Sequence, residues 1–393
     1  GAFGRERERT IILGPLPRSV GVDTLSVPDF SVGDVWRARF AAGARRAVEY
    51  WLDYIRKHRD DPGALHRESP NILQSIREAT HVPGAWSNAA ALAIAFEPFI
   101  TRRGSWHQWA TCLTDLVEAP AAPSHPVSRS RLRHRLAAIL ARLGQIDAAV
   151  DHLKTAINPL REAQAWSLLA DVLLGIAYWR VGAGQREGVD VYLREAESLA
   201  TRRHNQPVLI DVHNIRGRQA LQEERYPDAI AAFQRALDLA CAVEHRPLEK
   251  AARNFLAMAY LKADQPDAAL PHLASALEIA RASEEKCLFF SDRPGVGVIL
   301  VNVGRAYLAM DQPQLAIAHL QASLRMTRRT DNRAAECAAL TALGDAHRAL
   351  ADPALAEGCY RQALHLARSL DDDRREVRIQ DALTALVPFV NKP

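Results

Sequence analysis

One spacing recurs along most of the chain, and it limits what the chain can fold into more than any other feature. Gly217-Arg-Gln-Ala220, Tyr226-Pro-Asp-Ala229, Phe233 and Ala236-Leu237 set a template. A small anchor is followed by a small residue at +12, a bulky one at +16 and a small one at +19. The same offsets hold at Ala257, Ala269, Leu273, Ala276, at Gly304, Ala316, Leu320, Ser323, at Gly344, Ala356, Tyr360, Ala363, and upstream at Ala137, Ala149, Leu153, Ala156. Gly175 with Val189, Leu193 and Ala196 joins them once two residues are inserted around Gly182-Ala-Gly184. The anchors at 137, 175, 217, 257, 304 and 344 stand 38, 42, 40, 47 and 40 residues apart.

Small residues at the anchor and at +12 let two antiparallel helices approach closely where they cross. The bulky residue at +16 fills the gap one turn further on, and the small residue at +19 seats the next hairpin. Turn signals separate the helices: Arg225-Tyr-Pro227-Asp228, Asp264-Gln-Pro266-Asp267, Asp311-Gln-Pro313 and Ala351-Asp-Pro353. Proline there starts a helix, where its missing N–H costs little, and an Asp just before it is placed to cap the first amides. Abundant alanine and only 6 % aromatic residues suit close-packed helices better than a β-sandwich.

This pattern, with Tyr178, Tyr260 and Tyr307 three residues after an anchor, resembles the tetratricopeptide repeat (TPR). The resemblance implies an all-α fold, a right-handed solenoid of helical hairpins, here with a period of about 40 residues instead of 34. Longer helices are expected to absorb the difference. The organisation read from the sequence is an extended arm over 1–32, a helical junction with a degenerate repeat over 33–118, a linker over 119–130, six repeats over 131–386 and a tail over 387–393. Within the junction, a first helix from about Asp34 to Arg59 is expected to gather Trp36, Phe40, Ala47, Tyr50, Trp51, Tyr54 and Ile55 on one side. Asp60-Asp-Pro62-Gly63 ends it.

Arg67-Glu68-Ser-Pro-Asn71-Ile72-Leu73, then Ala79, Trp86, Leu92-Ala93-Ile94-Ala95-Phe96, Arg103-Gly104-Ser-Trp106 and Leu113 carry a second resemblance. They are similar to the junction between the nucleotide-binding switch and the TPR sensor of bacterial STAND-type (NB-ARC/NACHT-like) signalling ATPases. That resemblance implies an arm that senses a protein, a peptide or a small-molecule inducer and acts on an intramolecular ATPase module. No ATPase is expected in this sequence itself. A Walker A loop needs Gly before its Lys, and none of Lys57, Lys154, Lys250, Lys262, Lys286 or Lys392 follows a glycine. The chain does not begin with Met, which points to a piece of a longer protein.

The remaining chemistry is sparse. The 14 histidines form no His-Glu-x-x-His, and there is no Cys-x-x-Cys pair or Gly-x-Ser-x-Gly elbow. Gly295-Val-Gly297 lacks a third glycine and a strand before it. Asp371-Asp-Asp373 beside Arg374-Arg375 reads as a solvated helix end. An enzyme, a metal site and a cofactor are therefore not expected. Six lysines among 50 basic residues leave 44 arginines, which are interleaved with Asp and Glu so that the net charge is only +4. Such mixing reads as solvated helix faces rather than the contiguous basic face that nucleic acid needs. No run of 18 apolar residues is present, so no membrane helix is expected. Scattered Cys112, Cys241, Cys287, Cys337 and Cys359 read as reduced core residues of a cytoplasmic protein, and Trp106, Trp109 and Trp166 as core.

Binding is expected in the groove lined by the first helix of each pair, at −6, −3, +1 and +4 from the anchors. Those positions nominate His134, Trp179, Asp211, Asn214, Arg218, Asn254, Met258, Arg305, Thr341, Asp345 and Arg348, with Asn302 at the rim. Arginine grips oxyanions bidentately and asparagine satisfies a backbone amide, which suits a peptide, a carboxylate or a sugar-like ligand. Inward lysines of the kind that bind chaperone C-termini are missing. Cys287-Leu-Phe-Phe290 with Ser-Asp-Arg-Pro-Gly295, in the longest step, reads as a lengthened helix and loop or as an apolar lip. The function these features point to is a ligand- or protein-binding sensor of a STAND-type ATPase. The alternative is a stand-alone TPR adaptor that scaffolds proteins. A peptide-pheromone receptor is disfavoured, since residues 1–32 offer no compact helical domain.

Overall fold

The computed structural model describes residues 32–59, 61–82, 84–100, 106–120, 125–286, 293–329, 332–370 and 373–386. Among them are seventeen α-helices and no strand. Four precede the repeats: α1 (Val32–Lys57), α2 (Pro62–Thr80), α3 (Trp86–Ile100) and α4 (Trp106–Glu118). Six hairpins follow: α5 (Pro126–Arg142) with α6 (Ile146–Glu162), α7 (Trp166–Gly182) with α8 (Val189–Arg203), α9 (Gln206–Gln222) with α10 (Tyr226–Ala242), α11 (Arg246–Lys262) with α12 (Pro266–Lys286), α13 (Arg293–Ala309) with α14 (Pro313–Arg329), and α15 (Arg333–Ala349) with α16 (Pro353–Ser369). The helix α17 (Asp373–Thr384) packs on α16. The fold is an all-α, right-handed solenoid of TPR hairpins.

The arm over 1–31, Gly104, most of 287–295 and the tail over 387–393 lie outside the described residues. So do Cys287, the apolar run it opens, and Asp371-Asp372.

The chain divides into Gly1–Phe40 and Ala41–Pro393. In the first unit, α1 opens with an Asp34–Arg37 ion pair at 2.7 Å, and Val35, Trp36 and Phe40 are exposed. In the second, α1 buries Ala44, Val48 and Ile55 and leaves Tyr50 exposed. Of the residues expected on one side of this helix, Ile55 is buried and Trp51 and Tyr54 pack half-buried on the core, whereas Trp36, Phe40 and Tyr50 are exposed.

The 40-residue period has a simple construction. Ten of the twelve hairpin helices are 17 residues long, among them α5, α6, α9, α10 and α11. Three-residue loops such as 143–145, 223–225 and 263–265 join them. Each helix-to-helix turn inside a hairpin places one residue in the left-handed region. That residue is at +7 from the anchor: Gly144, Glu224, Asp264, Asp311 and Ala351, with Gly184 shifted by the insertion. The next amide reaches back five residues, as in Arg225 N to Ala220 O (2.9 Å) and Gln312 N to Tyr307 O (2.8 Å). This is the Schellman closure that satisfies the last carbonyls of a helix. Asp264 and Asp311, each one residue removed from its proline, therefore serve as helix stops. Asp352, directly before Pro353, is a cap and accepts from Leu355 N at 3.1 Å.

The anchors behave as their size demands. A Cβ on Gly217 would stand 2.6 Å from the ring of Phe233, on Gly304 2.5 Å from Leu320, and on Gly344 2.5 Å from Tyr360. Each partner is the +16 residue of the same repeat and is fully buried. Helix α5 starts at Pro126, inside the stretch read as a linker, because proline is tolerated in a first turn. The longest step is carried in part by α12, which runs to 21 residues. Trp86 and Trp109 are buried, and Trp86 Nε1 donates to Leu116 O at 2.9 Å. Trp106 and Trp166 are only half-buried. Four described cysteines are free: Cys112 and Cys337 are buried, Cys359 is half-buried, and Cys241 is exposed, contrary to its reading as core.

Candidate functional site: the inner face of the solenoid

The first helices of successive hairpins touch one another, α5 on α7, α7 on α9, α9 on α11, α11 on α13 and α13 on α15, and so form the inner layer. Their contact uses one of the four positions expected to face the groove. At −3, Val172, Asn214, Asn254, Val301 and Thr341 are all buried, and only His134 is half-buried. The open face is set by −6, +1 and +4. On α7 even these close over, since Leu169 and Ile176 are buried, leaving Trp179 half-buried at +4. From α9 onward, Asp211, Arg218, Met258, Arg305 and Asp345 are half-exposed and Arg348 is exposed.

The nominated residues thus fall into two sets. Asn302 is not at a rim. It is buried, and its Nδ2 donates to Asn254 Oδ1 at 2.9 Å, joining α13 to α11 beneath the face. Thr341 is spent within its own helix, donating to Cys337 O at 2.8 Å. His134 packs beside Gly175, and burial, reinforced by Arg135, lowers its pKa.

Asp211, Asn214 and Arg218 share α9. The Asn214 amide bonds the Asp211 carboxylate and holds its pKa down, but burial and the nearby Asp171 carboxylate push it up, and burial dominates. Asp171 is raised too, by burial, against the pull of Arg131. Arg218 lies over the Tyr178 ring, its guanidinium carbon 4.0 Å from the centroid, in a cation–π contact. Asn214 Oδ1 and Arg218 Nη1 are buried with no hydrogen-bond partner, which is costly unless something else meets them.

At the far end, Asp345 Oδ1 accepts from Tyr360 Oη at 2.7 Å, and its Oδ2 lies 3.9 Å from Arg378 on α17. Tyr360 is the bulky +16 residue, so a tyrosine rather than a phenylalanine there reaches the inner face past Gly344. Burial, reinforced by the Asp345 bond, raises its pKa. Arg305 has its pKa brought down to about 10 by burial, with Arg378 and Arg375 adding to the effect and Asp345 opposing it.

Four participants escaped the sequence reading. Arg131 sits at −6 of the first anchor, so the same rule could have named it. Arg378 is at −6 of an implied seventh anchor 40 residues after Gly344. Asp171 and Tyr178 fall outside the four offsets and become visible only when neighbouring helices are placed. Elsewhere arginines are widely paired, as in Arg161–Glu195 at 2.7 Å and Arg216–Glu197 at 2.6 Å. Arg328–Glu336 and Arg368–Glu376, both at 2.8 Å, repeat one bridge across successive turns. Among the described residues no cluster of His, Cys, Asp or Glu could hold a metal ion. No described helix is long and apolar enough to cross a membrane.

Residues 209–282 and 295–369 match the tetratricopeptide repeat family model. No curated protein matches the sequence. Among solved structures, the chain is similar to a Signal Transduction ATPase with Numerous Domains (STAND) protein with a tetratricopeptide repeat sensor from Pyrococcus horikoshii. The TM-score is 0.53 at 13 % identity, covering 84 % of this chain and 50 % of the other, so the chain spans half that protein's length. It is also similar to a Rap protein complexed with Competence and Sporulation Factor, with a TM-score of 0.55 at 13 % identity, covering 88 % and 98 %. A third is the apo form of the quorum sensor NprR from B. thuringiensis, with a TM-score of 0.53 at 13 % identity, covering 83 % and 88 %. At such identities these likenesses describe the fold. The protein carries tetratricopeptide repeats, and its solenoid is a binding fold rather than an enzyme's.

Proposed function

We propose that this protein is a ligand-sensing TPR solenoid that takes a peptide on the inner face of α9–α17 and passes the event to a nucleotide-binding switch of the STAND type. The observation that carries the binding step is on α9: Arg218, half-exposed on the open face, keeps an Nη1 that meets no hydrogen-bond acceptor. A peptide backbone brings carbonyl acceptors to such a donor. Asp211, Arg218, Met258, Arg305, Asp345 and Arg348 are the direct contacts, and Asn254, Asn302 and Thr341 support them from beneath. His134 and Trp179 lie where the face closes over. The link to a STAND switch rests on the Glu68–Asn71 segment, whose side chains bond each other at 2.8 Å on α2, together with the likeness to the Pyrococcus STAND protein with its tetratricopeptide repeat sensor. A ligand acts on a switch only by binding its two states with different affinity.

A thermal-shift screen with peptides tests the reading, since a ligand at 100 times its dissociation constant adds about 2.7 kcal/mol. Arg218→Ala is expected to weaken binding at least tenfold with the helical content unchanged. Equal affinity in that variant would remove α9 from the site. A second reading, the adaptor, is favoured by Leu315 and Leu355, exposed at 48 % and 52 % on the same repeat position of α14 and α16. Protein capture abolished by Leu315→Ser and Leu355→Ser, with no peptide binding, would select it.

A further inference from the structure

A cavity of about 550 Å³ lies at the edge of the solenoid that carries the loops between hairpins. Its walls are the opening turns of α5 and α7, the last turn of α8 and the loops 163–165 and 204–205. It stands apart from the α9–α17 face. Small-molecule sites usually enclose about 300–1,000 Å³, so its size is in their range.

The lining divides by chemistry. The Trp166 indole, with Val127, Leu168 and Leu199, makes the apolar part of the wall, and all four pack half-buried on the core. Arg131 from α5 and Arg203 from α8 supply the charge, and both are exposed. Neither makes a hydrogen bond or an ion pair among the described residues. Arg203 stands 5.9 Å from the centroid of the Trp166 ring, at the outer limit of a cation–π contact, whereas Arg218 closes to 4.0 Å on Tyr178. Among the described residues no carboxylate lines the cavity; Asp171 feels the charge of Arg131 but is not in the wall.

Trp166 also breaks the repeat pattern. It is at −9 from its anchor, where the other hairpins hold Ser128, Val208, Leu248, Gly295 and Ala335. Five hairpins therefore stack without an aromatic ring at this place.

We propose that this cavity binds a small aromatic carboxylate, packed on the Trp166 indole and gripped by Arg203 and Arg131. An indole takes a second ring in offset or edge contact, and a guanidinium fork matches a carboxylate in two parallel bonds. An inorganic anion leaves the apolar wall unused, and a neutral ring leaves both forks unmet. The walls belong to three helices of the first two hairpins, so the ligand ties those hairpins together. The site is independent of the peptide reading above.

Isothermal titration of the full chain with 2-naphthoate, neutral 2-naphthamide and inorganic phosphate tests it. Saturable binding of 2-naphthoate is expected, at least tenfold tighter than of the amide or of phosphate. The double variant Arg131→Gln, Arg203→Gln changes two exposed side chains and is expected to bring 2-naphthoate down to the affinity of the amide. Trp166→Leu is expected to weaken acid and amide alike. Arg218→Ala is expected to leave 2-naphthoate binding unchanged, which separates this site from the groove. No saturable binding of 2-naphthoate, equal binding of its amide, equal binding of phosphate, or full affinity in the double arginine variant overturns the proposal. Tighter binding of an acetylated Trp-Glu peptide amide than of 2-naphthoate overturns it in favour of a partner protein's side chains.

Discussion

A glycine in the middle of a helix is a liability of about 1 kcal/mol relative to alanine, so its presence needs a local reason. Gly344 has one, because a Cβ would stand 2.5 Å from the ring of Tyr360, which is itself buried and bonded to Asp345. Gly358, in the neighbouring helix, has nothing within 4 Å of its would-be Cβ. The two substitutions therefore move in opposite directions. Gly344→Ala is expected to destabilise by about 1–3 kcal/mol, since overpacking outweighs the gain in helix propensity. Gly358→Ala is expected to stabilise by about 0.5–1 kcal/mol. Urea denaturation of both variants checks this, and a shift of the same sign in both would show that the anchor contact does not govern packing. The anchors and their +16 partners were legible because size alone carries that signal. The fate of the −3 residues was not: nothing in the identity of Asn254 or Asn302 says that they pair with each other beneath the face instead of pointing into it.

Helices of 17 residues joined by three-residue loops turn the period of 40 into a statement about helix stops. Every stop at +7 is left-handed, yet only the first two such positions hold glycine, while Glu224, Asp264, Asp311 and Ala351 adopt φ of 56–58°. That is why the stops escaped the sequence reading: the backbone repeats where the residue type does not. The Schellman hydrogen bonds hold these residues in place against a strain of about 1 kcal/mol or more. Ala351→Gly is expected to stabilise by about 0.5 kcal/mol after the entropy that glycine adds to the unfolded chain. Gly144→Ala, at φ 82°, is expected to cost about 1 kcal/mol. Asp352→Ala removes the bond to Leu355 N and is expected to cost about 1 kcal/mol. Thermal unfolding of the three variants tests whether the turns rest on backbone conformation or on side-chain identity. A stabilised Asp352→Ala would show that the cap contributes nothing.

At the scale of the molecule, the solenoid brings side chains that are far apart in sequence into the same low-dielectric layers. The histidines record the effect. His134, His152, His213, His272 and His319, on α5, α6, α9, α12 and α14, all have their pKa lowered, with burial the largest cause in each. In the unfolded chain these side chains titrate near about 6.5. Below that pH the unfolded state binds protons that the folded state refuses, so stability falls as pH drops from about 7 toward the folded values. Asp171, Asp211 and Glu97 act with the opposite sign. Burial raises them, so the folded state takes up protons before the unfolded state does, and their unfavourable contribution is relieved in the more acidic range. The urea midpoint is therefore expected to fall between pH 7.5 and 5.5. His134→Gln is expected to flatten that slope, because it removes a buried titrating ring beside Gly175. The slope belongs to several repeats at once, so one substitution should reduce it without abolishing it. A midpoint that stays level or rises as the pH falls would mean that these histidines stay hydrated enough in the folded chain to charge freely, and that burial does not govern their titration.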